Sequence, residues 1–272
     1  DSALAQKKVK LKQADQLRSG KDKEGTKFQR VIGNVVFTQN RTTIYCDSAY
    51  FFKEKNSIEA FGRIRITEGD SITITGNKLE YDGDNKKAKL RNNVVFTKLE
   101  TSTLYTDFLD FDRPKNTAYY FNGGRLVDSI NVLTSRKGYY NLNSNMASFK
   151  RDVLVTNPDY TMTSDKDSSR FVYNGGEYDT KTRRSNLKLG TAESADYRLA
   201  GIDYQLDDIR KIYKLRGNVI MTSKKENLII YGQAADYYRL KGISKVYNNA
   251  YVAKITDDND TLFISADTLV SI

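Results

Sequence analysis

Hydrophobic and polar residues alternate along most of this chain with a period of two. In Gly62 to Thr67, Ile64 and Ile66 fall on one side of an extended backbone and Arg63 and Arg65 on the other. Aliphatic residues on one face and charge on the other predict a strand buried on one side only. The same string recurs as Gly33-Asn34-Val35-Val36-Phe37-Thr38, Asn92-Asn93-Val94-Val95-Phe96-Thr97, Arg151-Asp152-Val153-Leu154-Val155-Thr156 and Gly217-Asn218-Val219-Ile220-Met221-Thr222, with weaker copies from Gly124 and Asn249. Between these lies a second string, typified by Ile44 to Phe51, Ile74 to Tyr81 and Leu104 to Phe111 and returning at Leu199 to Leu206, Ile230 to Tyr237 and Ile264 to Ser271. Its alternation changes phase in the middle. Ile74 and Gly76 share one parity, Leu79 and Tyr81 the other. A phase change at a fixed small-then-Asn/Asp position predicts a bulge that bends the strand from one sheet to the next, with the polar side chain capping nearby backbone N–H groups. Turn-forming runs such as Lys53-Glu54-Lys55-Asn56 and Asp82-Gly83-Asp84-Asn85 separate the strings.

The small position of the second string falls at Ala14, Cys46, Gly76, Thr106, Ser135, Ser164, Gly201, Gly232 and Ala266, at intervals of 32, 30, 30, 29, 29, 37, 31 and 34 residues. Nine copies of a unit of about thirty residues, each supplying two strands, predict an all-β stack. The copies at Ser135 and Ser164 are eroded, and the longest interval holds an insertion near 174–190. No segment has a convincing helical period, and Gln6 to Ser19 reads as an opening strand. The stack places two aliphatic columns inside: Val35, Ile64, Val94, Val153 and Val219, then Phe37, Ile66, Phe96, Val155 and Met221. The whole of 1–272 reads as a single repeat domain.

Composition narrows the chemistry. There is no His and one Cys in 272 residues, which removes Ser-His-Asp and Cys-His catalysis, His-ligated metals and an internal disulfide framework. With 44 Lys and Arg against 34 Asp and Glu, the formal net charge is +10. The basic residues are scattered through every turn, with no nucleic-acid motif beside them, so nucleic acid is not the expected partner. They are densest in the segment from Lys7 to Arg30, which reads either as attraction to lipid phosphates or as a solvated edge strand guarded by Lys. Aspartates at the corner position (Asp15, Asp47, Asp107, Asp165, Asp267) are interrupted by Asn77, Arg136, Ile202 and Gln233, so the column reads as corner caps and not as a metal or hydrolytic ladder. Cys46 occupies the small-residue column and reads as a packing residue. No run approaches the roughly 18 apolar residues of a membrane span. Ala3-Leu4-Ala5-Gln6 has the small-x-small pattern of a signal-peptidase cut, which agrees with export as well as with chance.

The recurring Gly-Asn-Val-apolar-Phe/Ile/Met-Thr, followed by apolar-x-small-Asp-x-apolar-x-Tyr, resembles the OstA-like domain of the LptA lipopolysaccharide-transport family, over about Val9 to Ile272. The run Phe171 to Thr180 and Cys46-Asp47-Ser48-Ala49 are most similar to the long OstA-like proteins of Bacteroidota. The resemblance implies a periplasmic β-jellyroll, or β-taco, in which two antiparallel sheets face each other over an apolar groove. It implies lipopolysaccharide or its lipid A part as ligand, and other jellyroll proteins of the transport system, or a second copy of this chain, as end-to-end partners. The expected lipid-facing residues are then Val35, Phe37, Ile64, Ile66, Val94, Phe96, Val153, Val155, Val219 and Met221.

The expectation is thus a non-enzymatic lipid carrier without cofactor. Its rival is a β-solenoid scaffold whose core is packed shut; a solenoid glycan lyase or hydrolase is the third reading. The last copy, Ile264 to Ile272, ends inside its own strand pattern. This leads to the expectation that the natural chain continues, or that the edge adds to another protomer's first rung, with Asp257-Asp258-Asn259-Asp260 suited to the Lys-rich opening.

Overall fold

The computed structural model describes residues 8–98, 102–164, 175–256, 258 and 260–272. These form a β-jellyroll in which every strand pairing is antiparallel; a single 3-10 turn at Arg239–Lys241 interrupts it. Among the described residues no helix is long and apolar enough to cross a membrane. Ala3 to Gln6, Lys7, Asp165, Phe171 to Asn174, Asp257 and Asn259, which carried expectations above, lie outside the described residues.

Contacts divide the chain into two compact units. The first takes the chain up to Asp128 together with Lys137–Asn143; the second takes Ser129–Arg136 and the chain from Ser144 onward. In the first, strands Lys27–Gln39, Thr42–Phe52, Ser57–Glu68, Ile72–Asp82, Lys87–Lys98 and Ser102–Asp112 pair in sequence order. In the second, Arg184–Glu193, Tyr197–Asp207, Ile212–Ser223, Leu228–Tyr238, Ile243–Ile255 and Thr261–Ser271 do the same. The eroded copies lie between, and there the strands are only three to five residues long, from Thr117–Tyr120 to Gly175–Asp179.

Each long strand bends at its midpoint, so one half joins one wall and the other half the facing wall. The walls meet through side chains: Phe37, beyond the bend of its strand, packs edge-on against Phe51 at 5.3 Å between ring centres. Phe96 meets Tyr140 edge-on at 6.1 Å and Phe111 at a tilt at 6.2 Å.

At the bend the structure adds a second element to the sequence reading. The phase change is present at the small-then-Asp position, with a register shift between Tyr45 and Ser48 against the following strand, and the preceding strand shifts between Ile32 and Val35 opposite Cys46 and Ser48. Opposite it, the two residues that open the first string, mostly Gly and Asn, make the other half of the corner. Gly33 and Asn34 have φ of 80° and 46°, Gly62 and Arg63 74° and 40°, Asn92 and Asn93 65° and 53°, and Gly217 and Asn218 75° and 49°. Two consecutive left-handed residues turn the strand sharply, and Gly and Asn are the residue types that tolerate this backbone. At Gly62 there is a second constraint, because a Cβ would stand 2.4 Å from the Asp47 carboxylate.

The corner acids cap this step. Asn34 donates to Asp15 at 2.9 Å, Arg63 to Asp47 at 2.8 Å, and the Asn93 backbone N–H to Asp107 at 3.0 Å. In the eroded copy the charges exchange places, and Arg136 pairs with Asp152.

Candidate functional site

All ten residues of the two aliphatic columns face inward, and none is more than 8 % exposed, whereas Arg63 and Arg65 face solvent. The columns do not have one common environment. Val35, Phe37, Ile64, Ile66, Val94 and Phe96 lie in the first unit at 4 % exposure or less. There Phe37 packs against Phe51, and Phe96 against Phe111 and Tyr140, in a closed interior. Val153, Val155, Val219 and Met221 belong to the second unit, and of these Met221 lines a cavity.

Why the first interior is closed is visible at the free margins of its walls, where polar groups bridge from one margin to the other. Gln39 is buried at one margin and donates its amide to the Gly83 carbonyl of the other at 2.7 Å, while accepting from Tyr81. Val9 N–H donates to the Asn56 side chain at 2.8 Å. Glu68 pairs with Arg113 and accepts from Thr42. Lys98 donates to the Leu142 carbonyl at 2.8 Å.

The second unit has its own bridge, centred on the buried carboxylate of Asp208. It accepts from Asn131 at 3.0 Å, Asn157 at 3.3 Å and the Tyr160 hydroxyl at 3.2 Å. Asn131 also donates to the Tyr178 hydroxyl at 3.1 Å. Burial and then the negative charge of Asp208 hold the Tyr160 hydroxyl well above its usual pKa, so it is a permanent donor here. Beside it Asp159 accepts from Lys211 at 2.7 Å and from the Tyr213 hydroxyl at 3.0 Å, and pairs with Arg239.

Past these bridges the interior of the second unit contains a cavity of about 320 Å³, within the size range of small-molecule sites. Tyr160, Ala192, Leu199, Tyr204, Leu206, Leu215, Met221 and Ala235 form its apolar lining. Asp159, Tyr213 and Arg239 are polar groups in its wall, and exposed Gly242, Lys245 and Ile272 stand at its rim. Further along, Leu262 and Ile264 are about half exposed. Ile264 is in register with Val252, and Leu269 with buried Val246, so this strand presents the same inward-facing pattern without cover. The cavity can therefore take hydrocarbon, with charged donors at one side.

The remaining candidates resolve into structure. Lys10–Gln13 and Gln16–Lys21, from the basic opening, both pair with Lys27–Gln39, and Lys10, Lys12, Arg18 and Lys21 point into solvent. Among the described residues, no three His, Cys, Asp or Glu side chains come together as a metal site. Cys46 is buried, and burial followed by the neighbouring Asp47 pushes its thiol up to about 12. Since only the thiolate reacts, a disulfide reagent at pH 8 is expected to leave Cys46 unlabelled in the folded protein and to label it fully in urea. Prompt labelling of the folded protein would contradict this packing.

Sequence reasoning missed the bridges and most of the cavity lining. Leu199, Tyr204 and Leu206 belong to the second string, whereas the expected lipid-facing residues all lie in the first. The bridges carry a hidden period: their partners lie 44 residues apart for Gln39–Gly83, 45 for Glu68–Arg113, 44 for Lys98–Leu142 and 47 for Asn131–Tyr178. That is one and a half repeats, the separation between opposite margins of a folded-over sheet.

The comparisons with known proteins come to rest on the same repeat. No curated protein matches the chain. A solved structure of LptH from Pseudomonas aeruginosa, described as the LptA homologous periplasmic component of a lipopolysaccharide transport device, is similar at 15 % identity; the match covers 43 % of this chain and 82 % of that one with a TM-score of 0.36, too low to carry weight. The model of the family described as OstA-like protein matches residues 6–165, more than half of the 272. The chain therefore belongs to the OstA-like protein family.

Proposed function

We propose that this protein is a periplasmic carrier that binds the acyl part of lipopolysaccharide, or a related lipid, between its walls on the way to the outer membrane. The apolar cavity of the second unit is the observation that supports this most directly. Membership of the OstA-like family, and the resemblance of the repeat to the LptA type, supply the class of ligand. The work is done by burial, about 0.8 kcal/mol for each methylene taken out of water, and it needs no catalytic group. The ligand-contacting set then shifts from the ten column residues to Leu199, Tyr204, Leu206, Leu215 and Met221. The sealed interior around Phe37 and Phe96 supports a second role for the first unit, a rigid support of the kind a closed scaffold would provide. Partners from the same transport class, or a second copy, would meet the exposed terminal strand Thr261–Ser271 by strand addition.

A photo-crosslinking amino acid at Leu199 or Met221 should capture labelled lipopolysaccharide, and native mass spectrometry should show the matching mass shift. The same group at solvent-facing Arg65 should capture none. Equal capture at Met221 and Arg65 would show surface adsorption and overturn the proposal.

A further inference from the structure

The polar corner of the cavity carries more than its apolar lining does. Asp159 stands in the turn after Asn157, whose side chain accepts the backbone N–H groups of Asp159 at 2.8 Å and Tyr160 at 3.0 Å and so holds the turn in place. Its carboxylate is largely buried and receives three donors from the facing margin: Lys211, the Tyr213 hydroxyl and Arg239. These donors form a set, since the Arg239 backbone N–H is bonded to the Lys211 carbonyl at 3.1 Å. Asp159, Tyr213 and Arg239 all line the cavity. Two cations and a hydroxyl converging on one oxyanion beside an apolar cavity is the arrangement an acidic amphiphile requires. Here the chain's own carboxylate fills it.

We infer that Asp159 is a built-in occupant of an anion site, and that a phosphate-bearing amphiphile displaces it, taking Lys211, Tyr213 and Arg239 with its headgroup while its tail enters the cavity. A phosphate presents more acceptor oxygens and more charge than a carboxylate, and Arg and Lys bind it through charge-assisted hydrogen bonds. Displacement also undoes the bridge between margins that Asp159 makes, so the ligand's headgroup would widen the entrance for its own tail. An uncharged or zwitterionic lipid leaves Asp159 in place and gains only the burial of its tail. The inference rests on the lipid-carrier reading and adds the headgroup chemistry to it.

The test is titration of the full chain with dodecyl phosphate and with dodecylphosphocholine, both as monomers, which share a tail and differ in net charge. The wild-type protein should prefer dodecyl phosphate, and the preference should fall between low salt and 1 M salt as the headgroup contacts are screened. Asp159→Asn removes the competing charge and should tighten dodecyl phosphate by about tenfold while changing dodecylphosphocholine less than about twofold. Lys211→Met should erase most of the preference. A purely structural Asp159 gives the opposite sign: Asp159→Asn would weaken both amphiphiles together, and that result overturns the inference. Equal, salt-insensitive binding of both by the wild-type protein would also overturn it while leaving the lipid-carrier reading intact. Binding of neither would remove both.

Discussion

Replacing Asp208 with alanine is expected to destabilise the second unit by roughly 3–5 kcal/mol. The carboxylate is 1 % exposed and accepts from Asn131, Asn157 and Tyr160. Truncation takes the acceptor from the Tyr160 hydroxyl and an acceptor from each of the Asn131 and Asn157 amides, and a buried group that loses its partner costs about 1–3 kcal/mol. Asp208→Asn keeps the volume but places an amide among amides and a hydroxyl, so it should recover only part of the loss. Urea unfolding followed by tyrosine fluorescence measures both. A loss below about 1 kcal/mol for the alanine variant would mean that water reaches this site and replaces the carboxylate. Because the same residues bridge the two margins, the variant should also bind lipid differently from the wild type, a readout separate from stability.

Phe37→Ala is expected to cost the first unit about 3–5 kcal/mol, the range for removing a fully buried aromatic ring from a packed core. Phe37 is 0 % exposed and lies against Phe51 across the interior. As a control, Lys89→Ala on the solvent side of the same sheet should stay within about 0.5 kcal/mol. The size of the first effect distinguishes a core from a groove. A lipid groove presents rings that ligand covers and water touches in its absence, so truncating one there costs far less than the cavity penalty. A loss below about 1 kcal/mol would reopen the first unit as a ligand site.

The local rules were legible along the chain because they are local. Alternation in Gly62 to Thr67 sets which side chains face inward, and all ten column residues obey it. The thirty-residue interval follows from stacking identical turns, and Asp15, Asp47 and Asp107 cap their corners. The bend lies where the phase change puts it, at Cys46-Asp47 and Gly76-Asn77, but its other half, the left-handed pair on the neighbouring strand, left no such sign. The phase change and the left-handed pair sit opposite each other on adjacent strands, and periodicity marks only the strand whose parity changes. In the other strand, two left-handed residues in a row restore the original phase. Ile58 and Ala60 therefore share parity with Ile64 and Ile66 across Gly62 and Arg63, and the corner leaves no trace in the alternation.

By itself, then, the amino-acid order determined the all-β class, the repeat, the inward and outward faces and the absence of imidazole chemistry, because each depends on residues within a single turn of the stack. Whether the inward face encloses a packed core or a cavity was decided only in the tertiary structure. The same alternation serves Phe37 in the closed first unit and Met221 in the open second one. In both units opposite margins are held together by pairs such as Glu68–Arg113 and Asp159–Lys211, 45 and 52 residues apart, and in the second unit the cavity lies beside them. A polar residue in a turn looks solvated in sequence whatever it later meets. Its partner comes from the facing wall, and only folding the sheet over brings that wall within hydrogen-bond reach.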